Sequence, residues 1–143
     1  MVAENLGTAE INGTGNKAVG IYSENTAAGA VQITNDNKID LAGEQSIGIY
    51  ASGNHNISNT GNILIGNSSD PDQPGVGIYQ DGIAGSISNT GNINVYDGSV
   101  RIYAFNGNLV HSGIISSGDG GIGIYADNET VSLNISSDIK IGN

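Results

Sequence analysis

The heptapeptide Ile-Ser-Asn-Thr-Gly-Asn-Ile fills residues 57–63 and returns unchanged at residues 87–93. Imperfect copies begin at residues 3, 33, 109 and 133, so successive copies start 22 to 30 residues apart. A period of about 20 to 50 residues is typical of solenoids and other arrays, in which each unit packs mainly on its neighbours. The heptapeptide therefore predicts similar units stacked along one axis.

A second phrase lies between the heptapeptides and occurs five times. It has an aliphatic residue, then glycine in four copies and arginine in one, then Ile-Tyr; the copies fill residues 19–22, 47–50, 76–79, 100–103 and 122–125. In both phrases isoleucine or valine alternates with polar or small residues, which is typical of short β-strands. Because Thr-Gly-Asn favours bends, a unit of about 24 residues is predicted to hold three short strands and three bends.

A unit of this size buries too few aliphatic side chains to offset the conformational entropy of ordering it, so units must share a core with their neighbours. We expect an all-β, parallel β-helix (β-solenoid) of about five to six rungs with three short strands per rung. Residues 1–143 would form a single segment of it. The alternative is a sandwich or barrel of short strands with Asn-Gly and Asp-Gly hairpin turns. Those dipeptides fall between the repeat phrases and not at a constant place, which favours the β-helix.

Two positions of the heptapeptide carry further predictions. The fifth position is glycine in the exact copies but Asn37 in the copy at residue 33, which predicts a left-handed backbone there. The third position holds Asn35, Asn59 and Asn89 in successive copies, which predicts a stack of amides hydrogen-bonded along the axis. His111 takes that position in the copy at residue 109, and His55 is expected in a loop. Two separated histidines do not predict a metal site.

Arg101 indicates which residues of the second phrase face solvent and which face the core. It replaces the glycine of the other copies, and because an unpaired buried arginine is costly, this position is predicted to face solvent. Val100 and Ile102 would then face the core, and alternation puts Tyr103 on the outer face. The same argument applies to Tyr22, Tyr50, Tyr79 and Tyr125. We expect a ladder of stacked rings, one per rung, with the preceding glycines leaving room for them. Such a row is either structural or an aromatic strip that binds glycan or protein.

Composition excludes several classes of function. The chain has fourteen acidic residues and only four basic ones, for a formal charge of −10, and the basic residues are scattered along the sequence. No basic surface for nucleic acid or an anionic membrane is therefore expected. The absence of cysteine excludes disulfides, cysteine-bound zinc and thiol catalysis. No apolar run approaches the roughly 18 residues of a membrane span, and the N-terminus lacks a signal-peptide pattern.

No catalytic motif is present, so we expect neither an enzyme nor a cofactor. The chain has no phosphate loop, nucleophile elbow or zinc helix, and its acidic pairs do not stand out as a glycosidase pair. The longest irregular stretch, residues 66–75, holds both prolines and is expected outside the stack. Its Asp70 and Asp72 are candidate ligand-binding residues in addition to the five tyrosines. Two carboxylates are too few to complete the coordination shell of a calcium ion.

The phrases [VI]-G-I-Y-[AS] and I-x-N-T-G-N-I resemble the passenger repeats of type V autotransporter adhesins, in particular large fusobacterial surface adhesins of the RadD-like kind. The likeness runs from about residue 3 to residue 139. It implies a right-handed parallel β-helix outside the cell, held by a C-terminal outer-membrane barrel. The resemblance therefore implies an excised passenger segment. Because the matched residues are scaffold residues, no binding residues carry over from the family.

Three hypotheses follow for function. The first is a cell-surface adhesin segment that attaches the bacterium to host cells or other bacteria through a surface protein or glycan. The second is a spacer that projects a distal binding domain. The third, least supported because clusters of acids and bases are missing, is a divergent carbohydrate-active β-helix enzyme. Strand edges at both ends also predict possible end-to-end self-association.

Overall fold

The computed structural model describes residues 2–70, 72–82, 84–128 and 131–142, and all regular structure in these ranges is β-strand. Sheet A contains β1 (Val2–Asn5), β4 (Val31–Asn35), β7 (His55–Asn59), β10 (Gly85–Asn89), β13 (Asn108–His111) and β16 (Ser132–Ile135). Sheet B contains β2 (Ile11–Gly13), β5 (Ile39–Leu41), β8 (Ile63–Ile65), β11 (Ile93–Val95), β14 (Ile115–Ser117) and β17 (Ile139–Lys140). Sheet C contains β3 (Val19–Asn25), β6 (Ile47–Gly53), β9 (Val76–Asp81), β12 (Val100–Ala104) and β15 (Ile122–Ala126).

The chain visits the three sheets in the order A, B, C and then begins again one layer further along. Neighbouring strands of each sheet are parallel and come from successive visits, as in the order β1-β4-β7-β10-β13-β16 of sheet A. The described residues thus form five complete rungs and two strands of a sixth. The prediction of a parallel β-helix with three strands per rung is confirmed.

The repeat phrases lie in register. Ile57 pairs with Ile87 and Asn59 with Asn89 in sheet A, and Tyr50 pairs with Tyr79 in sheet C. Each repeat position therefore becomes a column of like residues along the axis. Columns of isoleucine fill the shaft, where the side chains of Ile39, Ile63, Ile93 and Ile115 are fully buried.

Glycine in the fifth heptapeptide position has a cause other than the one predicted from Asn37. Neither Asn37 nor Gly61 and Gly91 has a positive φ, so the prediction of a left-handed backbone is wrong for these copies, although it holds at Gly7 of the first copy, where φ is 78°. A Cβ on Gly61 would instead fall on the carbonyl oxygen of Asn37, and one on Gly91 would fall on that of Gly61. From the rung of Asn37 onward, successive rungs approach too closely at this bend for a Cβ, whereas Asn37 itself has room and donates its side-chain amide to the Gly7 carbonyl of the first rung (2.6 Å).

The irregular segment 66–75 connects β8 to β9 and has no strand, as predicted, although Pro71 lies outside the described residues. The segment is still anchored to the stack, because the Gly66 amide donates to the Leu41 carbonyl (2.8 Å) and the Ser68 amide to the Asp97 carbonyl (3.3 Å). Across the described ranges, no helix has the length and apolar character to cross a bilayer.

Candidate functional site

Asparagine amides form a hydrogen-bonded column inside the shaft, at the end of the sheet A strands. The Asn5 amide nitrogen donates to the amide oxygen of Asn35 (2.7 Å), and Asn35 donates in the same way to Asn59 (2.6 Å). Asn59 donates to Asn89 (2.5 Å) and also to the Gly61 carbonyl (3.0 Å). Because these side chains are buried, each amide depends on its neighbours for its partners. The predicted amide stack is confirmed, and Asn5 extends it by one rung.

His111 ends this column. Its Nδ1 lies 2.9 Å from the Asn89 amide nitrogen, which is a donor, so His111 is neutral with its proton on Nε2. His55 was predicted in a loop, and this is wrong: it is the first residue of β7, fully buried, with Nε2 2.9 Å from the Ser23 hydroxyl. Alternation along β7 turns it inward, on the same buried face as Ile57 and Asn59. Within the described residues, no group of three or more potential ligands could hold a metal ion.

The two histidines make the fold sensitive to acid. Burial lowers the pKa of both imidazoles. The unfolded chain therefore binds more protons than the folded chain once the pH drops below about 6.5, and stability falls from there downward. We expect a loss of up to about 1.4 kcal/mol per pH unit for each histidine. Urea denaturation between about pH 8 and pH 5 measures this slope.

His111→Asn provides the matched control for acid sensitivity. An asparagine there accepts from Asn89 and continues the amide column, so the variant should fold and lose about half of the pH dependence below about pH 6.5. An unchanged slope in this variant would show that His111 does not contribute to the acid sensitivity.

Five tyrosine rings form a second column, on the outer face of sheet C. The centroids of successive rings lie 5.0, 5.2, 4.6 and 5.4 Å apart and the rings are within 11° of parallel. The predicted ladder is therefore confirmed. In this arrangement the three inner rings have both faces covered by other rings, and each stacked pair contributes about 0.5–1.5 kcal/mol. The ladder presents ring edges and hydroxyl groups to a partner, and open ring faces only at Tyr22 and Tyr125.

Carboxylates accept hydrogen bonds from several hydroxyl groups of the ladder. The Tyr22 hydroxyl donates to Glu24, and the Tyr103 hydroxyl donates to Asp127 (2.7 Å). The bond to Glu24 raises the pKa of Tyr22, and burial followed by the bond to Asp127 raises that of Tyr103. The phenols of Tyr22 and Tyr103 therefore stay protonated as donors over the physiological range. The rim of the ladder, where the hydroxyl groups lie, is therefore acidic. Some of these hydroxyl groups already have hydrogen-bond partners within the chain.

An apolar groove of about 330 Å³ runs beside the ladder. The first residues of three phrases, Val76, Val100 and Ile122, line it together with Tyr103 and Tyr125. Val100 is buried, as predicted, but it borders this groove and lies outside the cluster that fills the shaft. Ile102 packs in the core of the shaft and is fully buried.

The prediction that Arg101 faces solvent is wrong, because its side chain is fully buried. Arg101 and Ile102 both point inward, so the chain bends here and strand alternation does not hold. The glycines of the other copies are required by this inward crowding and not by the rings, since a Cβ on Gly48 would lie 2.7 Å from a methyl carbon of Ile63.

Backbone carbonyls supply the partners that make the burial of Arg101 possible. Its Nε donates to Ser116 (3.0 Å), Nη1 to Ser99 (2.7 Å) and Ile122 (3.3 Å), and Nη2 to Val95 (2.5 Å). Burial lowers the pKa of Arg101 to about 10, so the guanidinium remains charged at neutral pH. Arg101 therefore fastens the corner between sheets B and C from the inside.

The two aspartates of segment 66–75 do not join the tyrosine ladder. The Asp70 carboxylate accepts from the Asp72 amide (3.0 Å) and from the Gln73 side chain (3.2 Å), so it holds the segment's own turn. Asp72 is exposed. Pro74 is the residue of the segment that borders the apolar groove.

Sequence reasoning missed Tyr96, the one tyrosine outside the repeat phrase. It follows β11 on the outer side of sheet B and is 57% exposed. Grooves of about 510 and 340 Å³ meet at its ring. The signal that could have identified it is its repeat position, which holds Gly66 in the rung before and Gly118 in the rung after.

Comparisons of the chain with protein-family models, with curated proteins and with solved structures found no match.

Proposed function

We propose that this chain is a rigid segment of a bacterial surface adhesin of the type V autotransporter kind. It would lie outside the cell, anchored to the outer membrane through another part of the protein, and attach the bacterium to host cells or other bacteria. The observation that supports this best is the uninterrupted stack of rungs, with both side-chain columns continuous along the axis. Such a rod can hold contact surfaces away from a membrane.

The partner would be a surface protein or glycan, and not a nucleic acid. A formal charge of −10 and an acidic rim along the tyrosine ladder disfavour polyanions. The surfaces available for contact are the ladder edge with its apolar groove and the exposed part of segment 66–75 around Asp72. Irregular segments on a rigid scaffold carry contacts more often than the scaffold does.

The spacer hypothesis remains the second candidate, and one observation favours it. The inner tyrosine rings stack on one another, so their faces are not open to a ligand. In that case the ladder would serve stability alone, and the chain would project a binding domain located elsewhere.

Cell attachment to beads coated with the purified chain separates the two candidates. The adhesin hypothesis predicts that coated beads bind epithelial cells or partner bacteria more than uncoated beads do. Tyr50→Ala, Tyr79→Ala and Asp72→Ala should then identify the surface, with folding checked by circular dichroism. Absence of attachment by the unchanged, folded chain would contradict the adhesin role and favour the spacer.

Self-association through the ends would be weak. At the last rung Leu133, Ile135 and Ile141 are 48%, 40% and 51% exposed, whereas the equivalent positions of inner rungs are buried. Stacking this end on the first rung of another copy would place Ile135 against Asn5. The Asn5 amide oxygen would then be buried without a donor, which costs about 1–3 kcal/mol.

A further inference from the structure

The surroundings of Tyr96 differ from those of every tyrosine in the ladder. Its column neighbours are Gly66 and Gly118, which have no side chain to cover the ring. Among the described residues it stacks on no other ring, and the four ring pairs all belong to the ladder. Tyr96 therefore presents both faces of an aromatic ring to solvent on an otherwise regular sheet.

A groove lies on each side of this ring. The first runs toward the earlier rungs and is lined by Asp40, Glu44, Leu64 and Asn67. The second runs toward the later rungs and is lined by Leu64, Asn94, Ser116 and Ser117. Together they follow the outer face of sheet B across four rungs, or about 14 Å at the spacing of neighbouring strands.

The polar groups along these grooves are side-chain amides, hydroxyls and carboxylates. Asn67 and Asn94 are exposed and offer both donors and acceptors. The Asp40 carboxylate is paired with Lys38 (2.8 Å), and the Glu44 carboxylate accepts from the Ser69 hydroxyl (3.1 Å). No cationic side chain lines either groove within the described residues. These groups suit an uncharged ligand with many hydroxyl groups, and they repel an anionic one.

We propose that Tyr96 and the two flanking grooves form a binding site for a neutral oligosaccharide chain. A sugar ring has a face of C–H groups that packs on an aromatic face, whose electron density attracts them. The hydroxyl groups of the sugar lie around the edge of its ring and can both donate and accept hydrogen bonds. The amide and hydroxyl side chains beside Tyr96 require both kinds of partner. Leu64 supplies apolar contact on both sides of the ring.

The direction of the grooves supports an extended chain rather than a single sugar. One outward residue per rung borders the grooves along the axis, in the order Asp40, Leu64, Asn94 and Ser116, and all but Leu64 are polar. Successive sugar units of an extended oligosaccharide have a repeat comparable to the rung spacing of about 4.8 Å. Neighbouring units would therefore meet polar side chains at Asp40, Asn94 and Ser116 and an apolar one at Leu64, with Tyr96 stacking on the central unit.

Titration of the isotope-labelled chain with neutral hexasaccharides tests the site by nuclear magnetic resonance. The probes are the hexamers of N-acetylglucosamine, glucose and mannose, with an acidic oligogalacturonate as comparison. At least one neutral probe should shift the amide signals of Leu64, Asn94 and Ser116 with a Kd of about millimolar order, as expected for a shallow site. The acidic probe should bind more weakly.

Variants separate the ring from the fold. Tyr96→Ala should weaken binding at least tenfold, whereas Tyr96→Phe, which keeps the ring, should change it less than threefold. Val110→Ala is the matched control, because it removes an exposed apolar side chain from the outer face of sheet A, and it should leave binding unchanged. Circular dichroism confirms that each variant is folded.

Three outcomes would overturn the proposal: no shift with any neutral probe, shifts that are equal in Tyr96→Ala, or shifts of these signals by neutral peptides alone. The site does not depend on the adhesin role. Saccharide binding without cell attachment would contradict the proposed function only, and attachment without saccharide binding would contradict this site only.

Discussion

Asn59→Ala is expected to lower the free energy of unfolding by about 3–6 kcal/mol, more than most substitutions at a polar residue. The change removes the acceptor of the Asn35 amide and the donor to both Asn89 and the Gly61 carbonyl. Each of these buried groups is left without its partner, at a cost of about 1–3 kcal/mol apiece. Urea denaturation of the variant and the unchanged chain measures the difference.

Ser58→Ala is the control for this prediction, because Ser58 lies on the opposite face of the same strand. Its effect should stay within about 0.5 kcal/mol, as for other surface positions. Equal effects at the two positions would contradict the hydrogen-bonded column.

Arg101→Ala is expected to lower the free energy of unfolding by about 3–5 kcal/mol. The substitution leaves the carbonyls of Val95, Ser99 and Ser116 without this donor in a buried corner, and it also creates a cavity. Arg101→Lys should recover only part of the loss, because an ammonium group cannot reproduce the planar fork of a guanidinium. Thermal and urea denaturation give the ranking of the three chains.

Lys140→Ala is the comparison for Arg101, since Lys140 is an exposed cation on β17. It should change stability by less than about 0.5 kcal/mol. A similarly small effect of Arg101→Ala would support a solvent-facing arginine and contradict its buried position.

The fold follows from the sequence because repetition converts local patterns into columns. A residue that recurs in one repeat position must stack on its copies once the rungs are parallel. The amide column at Asn59 and the ring column at Tyr79 were therefore predictable from two phrases. His111 could be placed in the amide column for the same reason.

Positions where the chain bends were not predictable from alternation. Arg101 follows a corner at which two successive residues point inward, so counting along the strand gives the wrong face. The reason for Gly61 also lies in the distance between rungs, which no single repeat reveals. His55 lies just before a heptapeptide copy, where the repeat pattern gives no information.

Tyr96 escaped prediction for the opposite reason. It does not recur, and its significance depends on the glycines that precede and follow it in the column. Once the rungs are aligned, Gly66 and Gly118 turn an ordinary tyrosine into an open ring. The candidate residues of the tyrosine ladder, by contrast, are identified easily because they repeat, and repetition is also what covers their faces.

Disulfide formation between neighbouring rungs tests the parallel stack most directly, because the chain has no cysteine of its own. Ser58 and Ser88 are 30 residues apart but pair across β7 and β10. At the strand spacing of about 4.8 Å, their Cα atoms fall within the range that a disulfide can bridge. Ser58→Cys with Ser88→Cys should therefore form an intramolecular disulfide under mild oxidation, as judged by mass spectrometry.

The control pair is Ser58→Cys with Val110→Cys, which lies one rung further, at about 10 Å, and beyond disulfide reach. Cross-linking of the Ser88 pair alone, in a monomer with unchanged circular dichroism, is the result that the parallel stack predicts. Cross-linking of the Val110 pair in preference to the Ser88 pair, or of neither, would contradict it.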